Sequence, residues 1–188
     1  MRKFFSAIFV FSILTLFCFP IFGQGYVSLE TEVSVQNNVA SINTLGYAEV
    51  DNIFIFASVS ENFSQVYGGL TISANELSAG AGIGVTGENN FRTALFTSWR
   101  EKYYSFSAVG EMDLSEDSKG NFFYILKFLT YSPENILRYG WVLRRFNGFG
   151  PLLEFNFGSH ITVWSSPVMY GILETGKVSS MFGLRIKN

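Results

Sequence analysis

The chain is short of cysteine, of charge and of histidine, and each shortage excludes a class of protein. Its single cysteine, Cys18, rules out a disulfide framework. Charged residues are only 15% of its 188 residues, against about a quarter in an average soluble domain. The 13 Lys plus Arg are outnumbered by 15 Asp plus Glu, and the pI is near 5.4, so there is no basic footprint for a nucleic acid. One histidine, without an EF-hand spacing of acids, leaves no familiar set of metal ligands. What the chain does have is apolar. Hydrophobic residues reach 48%, and aromatics 18% with 21 Phe, the opposite of a disordered composition. No long stretch repeats with helical periodicity, and the length suits one domain.

The first segment reads as an address label. Met1-Arg2-Lys3 is a short positive start, and Phe4 to Phe22 is apolar apart from Ser6, Ser12 and Thr15. Pro20 and the small Gly23 close the run, so residues 1–23 are expected to be a cleaved signal peptide. An uncleaved anchor of this length can span a bilayer, but Pro20 and the small-residue exit favour cleavage. A lipoprotein signal needs small residues before its cysteine, whereas Cys18 follows Leu16-Phe17. The remaining residues, 24–188, are read as a single domain. They hold no cysteine and an uneven charge distribution. From Gln24 to Phe91 there are seven acids and no base; from Arg92 onward there are eleven bases and eight acids.

Almost every later segment alternates with period two, the signature of strands with two different faces. Val27, Leu29, Thr31, Val33 and Val35 oppose Ser28, Glu30, Glu32, Ser34 and Gln36. Leu137, Tyr139, Trp141 and Leu143 oppose Arg138, Gly140, Val142 and Arg144. Val178, Ser180, Phe182, Leu184 and Ile186 oppose Ser179, Met181, Gly183, Arg185 and Lys187. Turn residues divide the chain into about twelve segments: 26–36, 39–50, 53–60, 66–73, 77–86, 91–99, 103–113, 122–131, 136–146, 151–158, 161–173 and 178–187. Longer connections alternate with shorter ones, as expected for the two ends of one meander.

Such strands can close around an apolar core, as in a soluble lipocalin-like barrel binding an apolar ligand, or around a polar lumen with apolar residues facing lipid. The strand segments average about ten residues, which matches a tilted bilayer crossing. The scarcity of charge is too great for an ordinary soluble surface. Aromatics near segment ends, namely Tyr26, Trp99, Tyr103, Tyr104, Tyr131 and Tyr170, suggest interfacial girdles. On these residues the chain resembles the small bacterial outer-membrane β-barrel proteins, over the whole of 24–188 and at the level of architecture. The expected fold is therefore all-β, an antiparallel up-and-down transmembrane barrel of about 12 strands, with 8 or 10 as alternatives. The resemblance implies outer-membrane lipid and the barrel-assembly machinery as partners, and no cofactor. It departs at the terminus, where Arg185-Ile186-Lys187-Asn188 replaces the terminal aromatic common in that class.

The polar faces then supply the candidate site. Glu30, Glu32, Glu49, Arg92, Arg100, Glu111, Lys127, Arg138, Arg144, Glu154, Arg185 and Lys187 are expected to line the lumen, as an ion-conducting pore or a plugged interior. Phe123, Ile125 and Leu129 share the face of Lys127, an apolar strip at odds with a wet lumen. An enzyme is the alternative from another class. His160 lies in sequence near Ser159, Ser165, Ser166 and Glu174, but Thr162 stands where outer-membrane lipid A deacylases carry the serine of a His-x-Ser pattern. Gly80, Gly82 and Gly84 form a G-x-G-x-G run that lacks the helix and Lys of a phosphate loop, so it reads as small residues on a crowded face. Asp113 to Lys119 reads as a solvated loop, and Leu114 to Asn121 as the longest connection, facing outside the cell. If first and last strands pair antiparallel, Glu30 and Glu32 are expected to meet Arg185 and Lys187 at the seam.

Overall fold

A computed structural model describes residues 25–114, 122–171 and 177–188. Twelve strands follow one another: β1 (Tyr26–Gln36), β2 (Val39–Val50), β3 (Ile53–Ser60), β4 (Ser64–Ala74), β5 (Leu77–Thr86) and β6 (Phe91–Arg100). The second half adds β7 (Tyr104–Asp113), β8 (Phe122–Tyr131), β9 (Leu137–Arg144), β10 (Gly148–Phe157), β11 (Ile161–Tyr170) and β12 (Val178–Lys187). Each pairs antiparallel with its sequence neighbours, and β1 pairs with β12 to close the barrel. Closure removes the edge strands that would otherwise carry unpaired backbone groups. The expected signal segment and most of the connection after β7 lie outside the described residues.

Turn chemistry fixes the strand ends. Asn37-Asn38 and Asp51-Asn52 both adopt positive φ, the two-residue hairpin geometry that short polar side chains tolerate. Asn75, Asn89 and Asn135 supply the left-handed residue in three more connections. Phe146, with φ 74°, is a bulky residue in the same region. It ends β9 earlier than the alternation suggests, and β10 begins three residues sooner, at Gly148, where φ is +105°.

Inside and outside alternate without a break from β1 to the middle of β11. There Pro167 and Val168 form a bulge: β11 shifts register by one residue against both β10 and β12. Proline has no N–H to give to a ladder, so a bulge is where a sheet tolerates it. The extra residue turns Met169 inward and leaves Tyr170 outside.

The outer wall is apolar. Leu70, Ile72 and Ile83 are 65%, 73% and 71% exposed, and Phe91, Leu95, Phe155, Phe157, Leu184 and Ile186 are exposed as well. Around a closed barrel, such a band suits lipid and not water. The seam register is half as expected. Glu30 faces Arg185 directly, and the Arg185 Nε donates to the Glu30 carboxylate. Glu32, however, faces Gly183, while Lys187 faces Ser28. This register leaves Lys187 one step past the last acid, and Glu32 finds its base elsewhere. Asn188 finishes the closure, accepting from the Val27 backbone N–H at 2.7 Å and donating to the Gly25 carbonyl at 2.9 Å.

Candidate functional site

The pairing registers carry one inward face around all twelve strands. All twelve charged residues expected in the lumen fall on it. Asp113, expected in a solvated loop, belongs there too: it is the last residue of β7, buried, and opposite Arg92 in register. Its period-two relation to Glu111 was the available signal. The inward face also holds two apolar clusters.

On β2–β6, Phe54, Tyr67 and Ala94 form one cluster, with Tyr47, Phe56 and Phe96 packed against it. Their rings lie against wall positions without side chains. A Cβ at Gly80 would sit 2.2 Å from the Phe96 ring, at Gly82 2.7 Å from Phe54, and at Gly84 2.6 Å from Tyr67. The G-x-G-x-G run is thus the bed on which these aromatics lie. Phe54 and Phe96 meet edge to face with centroids 5.0 Å apart. The acids bordering this cluster bond to neutral partners. Tyr47 Oη donates to Glu49 at 2.6 Å, as does the Thr71 hydroxyl. Glu111 accepts from Gln65 at 3.1 Å and from Tyr67 Oη at 3.2 Å. Arg92 Nη1 donates to Gln65 Oε1 at 3.3 Å.

On β8–β12, Leu129, Tyr131, Val142, Leu152, Trp164, Met169 and Met181 form the second cluster, with Ile125 beside it. The apolar strip of β8 is therefore core packing in the expected register. Charges thread through this side in pairs. Arg144 donates two bonds to the Glu32 carboxylate, at 2.8 and 2.6 Å, reaching across the lumen from β9 to β1. Asn43 donates to the same carboxylate at 3.0 Å and accepts from Ser58 at 3.1 Å. Arg185 approaches both Glu30 and Glu154, and Arg138 approaches Glu154 at 3.6 Å while lying over the Tyr131 ring at 4.7 Å. Such buried carboxylates require this many partners, because taking them from water costs several kcal/mol each.

Among the described residues, three bases on the inward face have no such partner. Arg100 and Lys187 stand at the rim that carries the chain termini, and Lys127 at mid-height, its ammonium 5.5 Å from the centre of the Trp164 ring. Side chains around Lys127 are not sealed off. Asn43, Leu45, Ser107, Val109 and Lys127 all face inward near mid-height and all keep partial exposure.

Two of the expected girdle residues are corrections. Tyr131 is buried in the second cluster and Tyr26 packs against Tyr47 with centroids 6.0 Å apart, both on the luminal face. Tyr131 shares the parity of Lys127, and Tyr26 that of Glu30, so alternation already assigned them inward. Trp99, Tyr104 and Tyr170 do face outward, and Tyr103 is exposed in the turn before β7. Position at a strand end did not reveal an outward aromatic row that crosses four strands: Tyr104, Phe128, Trp141 and Phe149, with successive centroids 6.2, 6.1 and 5.8 Å apart.

His160 sits exposed in the β10–β11 turn, where Nδ1 lies 3.0 Å from the Lys187 carbonyl oxygen. Ser165 Oγ donates to the Met181 carbonyl at 3.3 Å, Ser166 is buried, and Glu174 lies outside the described residues. Alternation along β11 places Ser165 and Ser166 on opposite faces, so the sequence neighbours of His160 are not assembled into one site.

No protein-family model and no curated protein matches the chain. Solved structures do. The KdgM porin in complex with disordered oligogalacturonate superposes with a TM-score of 0.60 at 13% identity, covering 85% of this chain and 98% of that one. The NanC porin gives 0.59 at 11% identity, covering 84% and 98%. The expected architecture, an antiparallel up-and-down barrel of about twelve strands, is the observed fold, and these solved porins share it.

Proposed function

We propose that the protein is a non-enzymatic, narrow water-filled pore in the outer membrane of a Gram-negative-type bacterium, with the charged inward face as its lining. The observation that carries this reading is the partial exposure of inward side chains at mid-height, inside a closed wall whose outer surface is apolar. A plugged barrel would seal those positions. An eight-stranded barrel is filled by its own side chains, whereas twelve strands leave room for a passage beside the two clusters. Pairing and hydrogen bonds fix the luminal charges in place, including the Glu32–Arg144 pair that reaches across the lumen beside the remaining space. Their geometry also favours solute passage over chemistry, since the acids are occupied by Arg, Tyr, Thr, Gln and Asn partners.

Planar-bilayer recording on the purified, refolded barrel tests the reading. Discrete single-channel steps of small conductance are expected. A protein that gives heat-modifiable gel mobility, and so is folded, yet never produces steps would refute the pore.

A further inference from the structure

We infer that Lys127 sets the charge selectivity of the lumen, making the passage prefer small anions. The inference rests on the pore reading and deepens it. Among the described residues the inward face carries seven bases and six acids, but pairing changes what a solute meets. Glu30 is held by Arg185, Glu32 by Arg144 and Asn43, Glu154 by Arg138 and Arg185, Glu49 by Tyr47 and Thr71, and Glu111 by Gln65 and Tyr67. Asp113 stands opposite Arg92. Among the described residues, the inward charges whose side chains keep neither a hydrogen bond nor an ion pair are Arg100, Lys127 and Lys187, all cationic.

Position then separates Lys127 from the other two. Arg100 is the last residue of β6 and Lys187 the last of β12, so both stand at a rim, where bulk solvent and salt screen them. Lys127 is the sixth of ten residues in β8, directly opposite Ser107 of β7 and Val142 of β9; Arg144, diagonal to it on β9, is already bonded to Glu32. Glu30 of β1 acts on it electrostatically, but that carboxylate is already bonded to Arg185. Trp164 holds the ammonium at its ring face, and a cation fixed there by an aromatic keeps its charge presented to the lumen. A single unpaired charge between low-dielectric walls focuses the field along the passage.

Reversal potentials under a salt gradient test this with the full barrel. The wild type is expected to be anion-selective, Lys127→Gln to lose most of that preference, and Lys127→Glu to reverse its sign. Arg100→Gln and Lys187→Gln are expected to shift the potential less than Lys127→Gln. Raising salt from about 0.1 M to about 1 M shortens the screening length from about 10 Å to about 3 Å, and should weaken the wild-type preference. Channels that open normally in Lys127→Gln with the wild-type reversal potential would overturn the inference while leaving the pore intact. A potential that follows Arg100 or Lys187 instead would overturn it too. Should Lys127→Glu fail to fold, Lys127→Gln and Lys127→Met decide the matter, since both keep an unbranched stem and remove only the charge. Absence of channels in the wild type refutes the pore reading itself, and the inference with it.

Discussion

The two sides of the lumen fill their space by different means. On β2–β6 five aromatic rings lie on a wall cleared by glycine, and the bordering acids bond to neutral donors. On β8–β12 aliphatic and sulfur-containing side chains pack with Tyr131 and Trp164, and ion pairs made by Arg138, Arg144 and Arg185 run beside them. The difference follows from the charge asymmetry of the chain. Between Gln24 and Phe91 there is no base, so Glu49 turns to Tyr47 and Thr71. The bases of the C-terminal half serve their own wall and also reach Glu30 and Glu32 on β1. A barrel brings the two ends of the chain together, and the acidic half meets the basic half there.

Removing a charge from the paired side should have the largest effect. Glu32→Ala strands the Arg144 guanidinium across the lumen and is expected to cost about 3–5 kcal/mol, as breaking buried pairs does. Urea titration of the barrel in lipid or detergent measures it, and adding Arg144→Met should recover most of the loss. If Glu32→Ala unfolds at the wild-type midpoint, the pair does not hold that side.

Adding volume to the aromatic side comes next. Gly80→Val places atoms where the Phe96 ring lies and is expected to cost about 1–3 kcal/mol. Phe96→Ala in the same chain should relieve part of that loss, an interaction a double-mutant cycle reads directly. Additive costs would mean that the ring does not rest on Gly80.

A smaller change is expected at Tyr47→Phe, which deletes one donor to Glu49 and leaves Thr71 in place, for about 1 kcal/mol. The smallest is Lys187→Ala, within about 0.5 kcal/mol of wild type, since the terminal base has no acid opposite it. A clear loss there, comparable with that of Arg185→Ala, would restore the two-pair seam that the register excludes.

Much of this was legible in the sequence, for a physical reason. With period two and a strongly polar inner face, each charged residue fixes the parity of its strand, so Glu30, Arg138 and Arg185 alone orient β1, β9 and β12. Hairpins written with Asn-Asn and Asp-Asn fix the first two turns. The misses arise where a second rule competes with parity. Tyr26 and Tyr131 look like girdle residues because they stand at strand ends, yet parity places them in the lumen. Asp113 looks like loop because charges follow it. The Glu32–Arg144 pair joins strands four apart around the wall, and local alternation carries no information on contacts across an open space. The Pro167 bulge is the one place where parity itself slips, and only the partner registers reveal it.

A pore of this kind needs water at mid-height, and Ser107 is the place to test for it. Ser107 faces inward opposite Lys127 and is partly exposed, and the described residues contain no cysteine. In Ser107→Cys, a water-soluble charged thiol reagent should react with the folded barrel and reduce single-channel conductance in steps, with the wild type unaffected. A thiol that reacts only after unfolding would mean that the lumen is sealed at mid-height.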